Sequence, residues 1–120
     1  MSSSNPTVGL LHPGEMGASI GAGLQALGIP VLWSSAGRSQ ASRARAEAAG
    51  MTETPSLAAL LQASSVVLSI CPPEAAEQVA LEVASGHFQG VYLDANAVSP
   101  QKVARIAQLI EGSGGAFVDG

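Results

Sequence analysis

Aromatic residues, cysteine and positive charge are all scarce in this chain of 120 residues. One tryptophan, one tyrosine and two phenylalanines are its whole aromatic content. The core must therefore be built from Val, Leu, Ile and Ala, which is typical of helices packed on a parallel sheet. The single cysteine, Cys71, excludes a disulfide within the chain and fits a reducing compartment, so we expect a cytoplasmic protein. A net charge of −4 argues against a nucleic-acid surface.

Signals for export, membrane insertion and metal binding are also missing. The opening residues MSSSNP lack the basic start and the apolar stretch of a secretory signal. No apolar run approaches the roughly 20 residues of a membrane span. The sequence has neither a zinc-ligand spacing nor an EF-hand loop, so we predict no metal site. A chain of this length holds one domain, which we assign to residues 1–120.

The sequence does contain an alternation of short apolar runs and segments of helical period. We predict strands at residues 7–11, 30–34, 51–53, 65–70, 90–95 and 115–119. Helices are predicted at residues 15–28, 39–50, 54–64, 73–85 and 99–112, with N-caps at Ser39, Thr54 and Ser99. This alternation predicts an α/β domain of Rossmann type, a doubly wound parallel sheet of about six strands with helices on both faces. For that fold the expected strand order is 3-2-1-4-5-6.

The turn after the first strand reads HPGEMG, where dinucleotide-binding loops have G-x-G-x-x-G. Gly14 stands where the backbone approaches a pyrophosphate, and Gly17 stands where the helix packs closely on the strand. The N–H groups that open the helix favour an anion. We predict cofactor contacts from the residues of this turn: His12, Pro13, Gly14, Glu15, Met16 and Gly17. Two alternatives stay open: the glycines serve packing only, and His12 serves the turn and not the ligand.

The segment after the second strand, SSAGRSQASRAR, predicts NADP(H) and not NAD(H). NAD-specific domains place an acid here on the adenine ribose, but no acid occurs between Trp33 and Arg45. Arginine and serine donors suit a 2′-phosphate. We predict these phosphate contacts from the strand end, the loop and the helix start: Ser34, Ser35, Arg38 and Arg43. The alternative is that the arginines solubilise an Ala-rich helix, which suits Arg45.

Four segments together resemble the superfamily of 6-phosphogluconate dehydrogenase and the β-hydroxyacid dehydrogenases. They are VGLLHPGEMGASIGAGLQALG, SVVLSICPPEAAEQV, VYLDANAVSPQ and GGAFVDG, and the resemblance extends from Thr7 onward. The forms HPGEMG and CPP are most similar to a poorly characterised, phosphogluconate-dehydrogenase-like branch. The resemblance implies the NAD(P)-binding domain of an oxidoreductase, which positions a nicotinamide for hydride transfer, and the arginines and serines after the second strand make NADP(H) the expected cofactor. It places the nicotinamide beside the ends of two strands, near Cys71, Pro72, Pro73 and Asn96.

The sequence also departs from the superfamily pattern. Asn96 and Ala97 replace a Ser-Thr pair, so the substrate contacts of the usual hydroxyacid members are not expected here. The family's catalytic lysine lies beyond Gly120, in a helical domain that also forms the substrate cleft and a homodimer. We therefore predict no catalytic residue within residues 1–120, an inactive isolated chain, and a small-molecule substrate for the longer enzyme. Lys102 is expected on a solvated helix face.

Two other functions use the same fold. One is a non-catalytic nucleotide-binding or sensing module, and the other is a domain that binds S-adenosylmethionine. The loop CPPE and the sixth strand argue against the second. Cys71 lacks a neighbouring base in sequence, which argues against a nucleophile. Asp94 and Asp119 end strands, where we expect them to form turns.

Overall fold

The computed structural model describes residues 6–11, 15–96 and 98–120. Its strands are β1 (Val8–Leu11), β2 (Val31–Ser34), β3 (Thr52–Thr54), β4 (Val66–Ser69), β5 (Val91–Asp94) and β6 (Ala116–Asp119). Its helices are α1 (Glu15–Ala26), α2 (Gln40–Ala48), α3 (Leu57–Ala63), α4 (Ala76–Ser85) and α5 (Pro100–Gly112), and a 3₁₀ turn at Pro73–Ala75 precedes α4. None of the helices in these ranges combines the length and the apolar character needed to cross a membrane.

The six strands form one sheet in the order β3-β2-β1-β4-β5-β6, and every neighbouring pair is parallel. This order confirms the predicted Rossmann-like fold. Side chains alternate between the two faces of a strand, and each face has its own apolar cluster. Leu10 and Leu68 belong to the cluster that includes Ala46 of α2, whereas Leu11 and Val67 belong to the cluster under α3, α4 and α5. The central strands are thus buried between two helical layers, whereas the edge strand β6 is mostly exposed.

The start of the third helix differs from the sequence prediction. Thr54 does not cap a helix but ends β3, where its hydroxyl donates to the Trp33 carbonyl at 2.8 Å. Ser56 caps α3 by accepting from the Ala59 N–H at 3.1 Å. Pro55 lies between strand and helix, because the residue before a proline prefers the extended geometry that Thr54 has in the strand. The helix predicted at residues 54–64 with its cap at Thr54 therefore begins two residues later, with its cap at Ser56.

The other helix ends largely follow the sequence signals. Ser39 and Ser99 cap α2 and α5, as predicted, by accepting from backbone N–H groups of the first turn. Gly28 and Gly50 follow the ends of α1 and α2 with φ angles of 83° and 78°, which glycine adopts without strain. The chain can therefore turn back toward the next strand directly after each helix.

Helix α3 approaches the central strand β1 at Gly9. A Cβ atom at this position would lie 2.5 Å from both Leu60 Cδ2 and Ser64 Oγ, which is shorter than van der Waals contact allows. Glycine is required here for packing, and its absence of a side chain keeps α3 close to the sheet.

Candidate functional site

Strands β1 and β4 are neighbours at the centre of the sheet, although the chain visits β2 and β3 between them. The chain leaves β1 toward one side and β4 toward the other. Their carboxyl ends therefore form the switch point at which doubly wound domains open a ligand crevice. β1 ends at Leu11, α1 begins at Glu15, and Gly17 is buried in the first turn of that helix.

The turn between β1 and α1 carries six of the fourteen predicted cofactor contacts. Five of them lie outside the described residues or atoms: His12, Pro13, Gly14 and the side chains of Glu15 and Met16. The described backbone supplies the strand before this turn and the helix after it, which is the context that a pyrophosphate loop requires.

A cleft of about 180 Å³ opens beside the switch point, between the ends of β1 and β2 and helices α3 and α4. It is lined by Leu10, Leu11, Ser34, Ala36, Arg38, Leu57, Val79, Glu82 and Val83. The floor is apolar, and Ser34, Arg38 and Glu82 supply the polar groups. Such a lining suits a flat ring with a few polar substituents.

The loop after β2 is held by backbone hydrogen bonds that leave one cation exposed. Ser35 donates its N–H to the Thr54 carbonyl at 3.1 Å, and Arg38 donates its N–H to the Ser35 carbonyl at 3.1 Å. Gly37, with a φ of 72°, completes the turn. Arg38 is exposed at the rim of the cleft and forms no ion pair with any residue that the structure describes. Its guanidinium is therefore available to an anion.

Arg43, the other predicted cation, is already engaged. Its Nη1 lies 2.9 Å from Oε2 of Glu53, and its guanidinium carbon lies 5.8 Å from the centroid of the Trp33 ring. The register of β2 and β3 pairs Trp33 with Glu53, so this acid lies directly beside the end of β2. The structure thus places Ser34 and Arg38 at the cleft, whereas Arg43 of α2 forms an ion pair with Glu53 of β3.

Sequence reasoning missed Glu53 because the acid follows the second strand by almost twenty residues and lies on another strand. The signal that could have found it is the expected strand order, which already placed the third strand beside the second. Hydrogen bonding by the Ser35 hydroxyl, followed by that of Arg43, lowers the pKa of Glu53. The same hydroxyl lies 3.3 Å from the Thr54 carbonyl, and the charged carboxylate is the stronger of these two acceptors.

A second group of polar side chains connects the ends of β4 and β5, and we call Ser69, Cys71, Asp94 and Asn96 the β4–β5 cluster. Asn96 accepts a hydrogen bond from the Cys71 N–H at 2.7 Å and donates through Nδ2 to Ser69 Oγ at 3.2 Å. Asp94 Oδ1 accepts from the Asn96 N–H at 2.8 Å, which is the turn role expected for this aspartate. Asn96 therefore fastens one strand end to the other.

The ionisable groups of the β4–β5 cluster are biased toward their neutral forms. Asp94 is 1% exposed, and its Oδ2 has no hydrogen-bond partner among the described residues. Burial, followed by the charge of Asp119, raises the pKa of Asp94. Burial also raises the pKa of the Cys71 thiol, and the Asp94 carboxylate adds to this effect. A thiol that resists ionisation argues further against a nucleophilic Cys71.

The loop from Cys71 to Pro73 is also held from α5. Lys102, which we expected on a solvated face, is partly buried and donates from Nζ to the Pro73 carbonyl at 3.3 Å. A second contact joins α5 to α4, where Arg105 Nε of α5 lies 3.2 and 3.1 Å from the two carboxylate oxygens of Glu77 of α4. The loop is therefore joined to α5 as well as to the end of β5, and Pro72 and Pro73 are exposed on its outer side.

Comparison with known proteins agrees with this geometry. A family model described as the NAD binding domain of 6-phosphogluconate dehydrogenase matches residues 7–120. No curated protein matches the chain at a significant level.

Solved structures of longer proteins contain the same fold. A conserved protein of unknown function, described as structurally similar to 3-hydroxyacid dehydrogenases, is 33% identical with a TM-score of 0.84, and the match covers 92% of this chain and 41% of that one. The 3-hydroxyisobutyrate dehydrogenase of Mycobacterium tuberculosis with L-serine is 20% identical with a TM-score of 0.85, and the match covers 97% of this chain and 40% of that one. A variant imine reductase of Myxococcus stipitatus in complex with NAD+ is 14% identical with a TM-score of 0.79, and the match covers 97% of this chain and 40% of that one. This chain thus spans about two fifths of the length of these proteins.

Proposed function

This chain belongs to the family of NAD-binding domains of 6-phosphogluconate dehydrogenase, and from that premise we propose that it binds NADP(H) and positions the nicotinamide for hydride transfer in an oxidoreductase. The cofactor would lie along the carboxyl edge of the sheet, across the switch point between β1 and β4. The hydride chemistry belongs to the nicotinamide, and the protein supplies binding and orientation.

The observation that carries the choice of NADP(H) is the position of Arg38. Arg38 lines the cleft together with Ser34, which ends β2, and Arg38 itself lies in the loop that follows the strand. A 2′-phosphate on the adenine ribose is a dianionic acceptor, and a guanidinium with a neighbouring hydroxyl matches it. An NAD(H) ribose offers only hydroxyl groups at this position and would leave the arginine without an anion.

The cleft itself supports adenine binding. Leu57 and Val79 provide apolar surface from α3 and α4, and Glu82 provides a carboxylate that can accept a hydrogen bond from the exocyclic amine. The pyrophosphate would then meet the N–H groups that open α1, as expected from Gly14 and Gly17.

The nicotinamide end would rest against the loop from Cys71 to Pro73. Both polar groups of the Asn96 amide are hydrogen-bonded within the chain, to the Cys71 N–H and the Ser69 hydroxyl. We infer that Asn96 positions this loop, and its second amide hydrogen is still able to donate to the carboxamide of the nicotinamide.

We also propose that turnover requires residues from a further domain. The described acids and thiol near the nicotinamide end, Asp94 and Cys71, are biased toward neutral forms by burial. The solved relatives are more than twice as long as the matched region. We propose that a helical domain supplies the catalytic lysine and the substrate cleft. We also propose that the enzyme is a homodimer and that it is located in the cytoplasm.

Cofactor titration of the purified chain tests the proposal. Trp33 is the only tryptophan and lies in β2, next to the expected adenosine site, so its fluorescence reports binding, and calorimetry gives the affinity. We expect tighter binding of NADPH than of NADH. Replacing Arg38→Ala should weaken NADPH by about 1.5–3 kcal/mol, the range for a hydrogen bond to a charged group, and leave NADH nearly unchanged.

The matched control is Arg45→Ala, which removes the same charge from α2 at a residue that does not line the cleft. It should leave both affinities within about twofold of the parent chain, because Arg45 makes no part of the cleft lining and salt screens the interaction of charges that are not in contact. Equal losses for the two cofactors in the Arg38 variant, or tighter NADH in the parent chain, would contradict the choice of NADP(H).

A further inference from the structure

The end of β2 carries an acid that belongs to a neighbouring strand. Glu53 of β3 is paired in register with Trp33, and Ser35, directly after β2, is hydrogen-bonded to Thr54, the residue that follows Glu53. An uncompensated carboxylate at this position would repel a 2′-phosphate bound to Ser34 and Ser35. It would instead favour a ribose hydroxyl, as the acids of NAD-specific domains do.

Arg43 compensates this carboxylate and is fixed while it does so. Its guanidinium contacts Glu53 at 2.9 Å on one side and lies 5.8 Å from the Trp33 ring centroid on the other. Arg43 is not among the residues that line the cleft, whereas Arg38 is. The two arginines therefore occupy different positions relative to the expected phosphate.

We propose that the Arg43–Glu53 ion pair is a determinant of cofactor choice that acts by charge cancellation. Arg43 neutralises Glu53, which allows the 2′-phosphate to approach the end of β2, while Arg38 makes the direct contact. This inference rests on the proposed NADP(H) site. It assigns a selective role to Glu53, a residue outside the predicted site, and a compensating role to Arg43, which the sequence had placed on the phosphate.

The expected effect is modest and depends on salt. A carboxylate about 10 Å from a phosphate of charge about −2, at the dielectric constant of water, changes the Kd about fourfold, so we expect roughly three- to tenfold. A Debye length of about 8 Å at physiological ionic strength would reduce this effect to about 1.5-fold, so the Kd values are measured near 0.01 M salt, where the Debye length is about 30 Å.

The experiment is a double-mutant cycle read with NADPH and NADH. Arg43→Met keeps a long side chain on Trp33 but removes the charge, and Glu53→Gln keeps the shape of the carboxylate. We expect Arg43→Met to raise the Kd of NADPH roughly three- to tenfold and that of NADH less than about twofold. Glu53→Gln should leave NADPH binding no weaker. The double variant should regain the NADPH-to-NADH ratio of the parent chain within about twofold, because neither charge is left.

Each other outcome overturns the inference. A double variant as weak for NADPH as Arg43→Met would mean that Arg43 binds the phosphate directly. An unchanged ratio in all three variants, while Arg38→Ala still weakens NADPH selectively, would remove this inference and leave the proposed site intact. If the parent chain binds neither NADPH nor NADH, both this inference and the proposed cofactor site are contradicted. Thermal melts should show folded variants, because exposed ion pairs contribute little to stability.

Discussion

Replacing Asn96→Ala should loosen the carboxyl edge of the sheet without disturbing its core. The substitution removes two hydrogen bonds, from the Cys71 N–H at 2.7 Å and to Ser69 Oγ at 3.2 Å. A net contribution of about 1 kcal/mol for each bond gives a loss of about 2 kcal/mol in the free energy of unfolding. The loss is not larger, because Cys71 and Asn96 are only partly buried.

Urea denaturation, followed by the fluorescence of Trp33, measures this loss. For a chain of 120 residues, about 2 kcal/mol corresponds to a melting temperature lower by about 8 °C. The urea slope should not change, since the folded and unfolded surfaces stay the same. Hydrogen exchange at the Cys71 amide should become faster, because Asn96 is its acceptor.

The control is Gln62→Ala, which removes an exposed amide from α3 and should change stability by less than about 0.5 kcal/mol. If Asn96→Ala loses no more than this control, and if exchange at Cys71 is unaltered, then the two strand ends are held without Asn96 and its assigned role is refuted.

Two further predictions concern packing and pH. Gly9→Ala should destabilise the chain by about 1–3 kcal/mol through overpacking, because its Cβ would lie 2.5 Å from Leu60 Cδ2. Gly23→Ala, with open space around its Cβ, should instead stabilise α1 by about 0.5–1 kcal/mol. Equal urea midpoints for the two variants would contradict this prediction. Because burial raises the pKa of Asp94 in the folded chain, the folded state binds more protons, and stability falls as pH rises from the unfolded pKa of about 4 through the folded value. Asp94→Asn should remove that part of the pH dependence, and parallel stability curves of variant and parent between pH 4 and 8 would show that Asp94 does not cause it.

The fold was predictable because its signals are local and repeated. Each strand is a short apolar run, and Ser39 and Ser99 mark helix starts by a mechanism that needs only the next three residues. The error at Thr54 arose where two such signals competed. A threonine before a proline can cap a helix or end a strand, and pairing with β2 decided for the strand. The strand order came from the known fold, since periodicity carries no such information.

The candidate site was predictable only where its residues belong to one segment. Ser34 ends β2, Arg38 lies in the loop that follows, and both line the cleft. Glu53 was missed because its effect depends on strand register, which no local pattern encodes. The orientation of Asn96 was likewise hidden, because its partners are 25 and 27 residues away in sequence. Contacts at such separations become visible only when the chain is folded.

The loop from Cys71 to Pro73 is anchored at both of its ends by groups from later in the chain. Asn96 binds its first residue, and Lys102 binds the carbonyl of its last. These bonds are formed within the chain itself, so the loop has already lost much of its conformational entropy before any ligand arrives. A ligand that rests on a pre-ordered surface keeps more of its contact free energy as affinity. This edge of the sheet should therefore act as a fixed platform, and closure around a ligand would have to come from some other part of the protein.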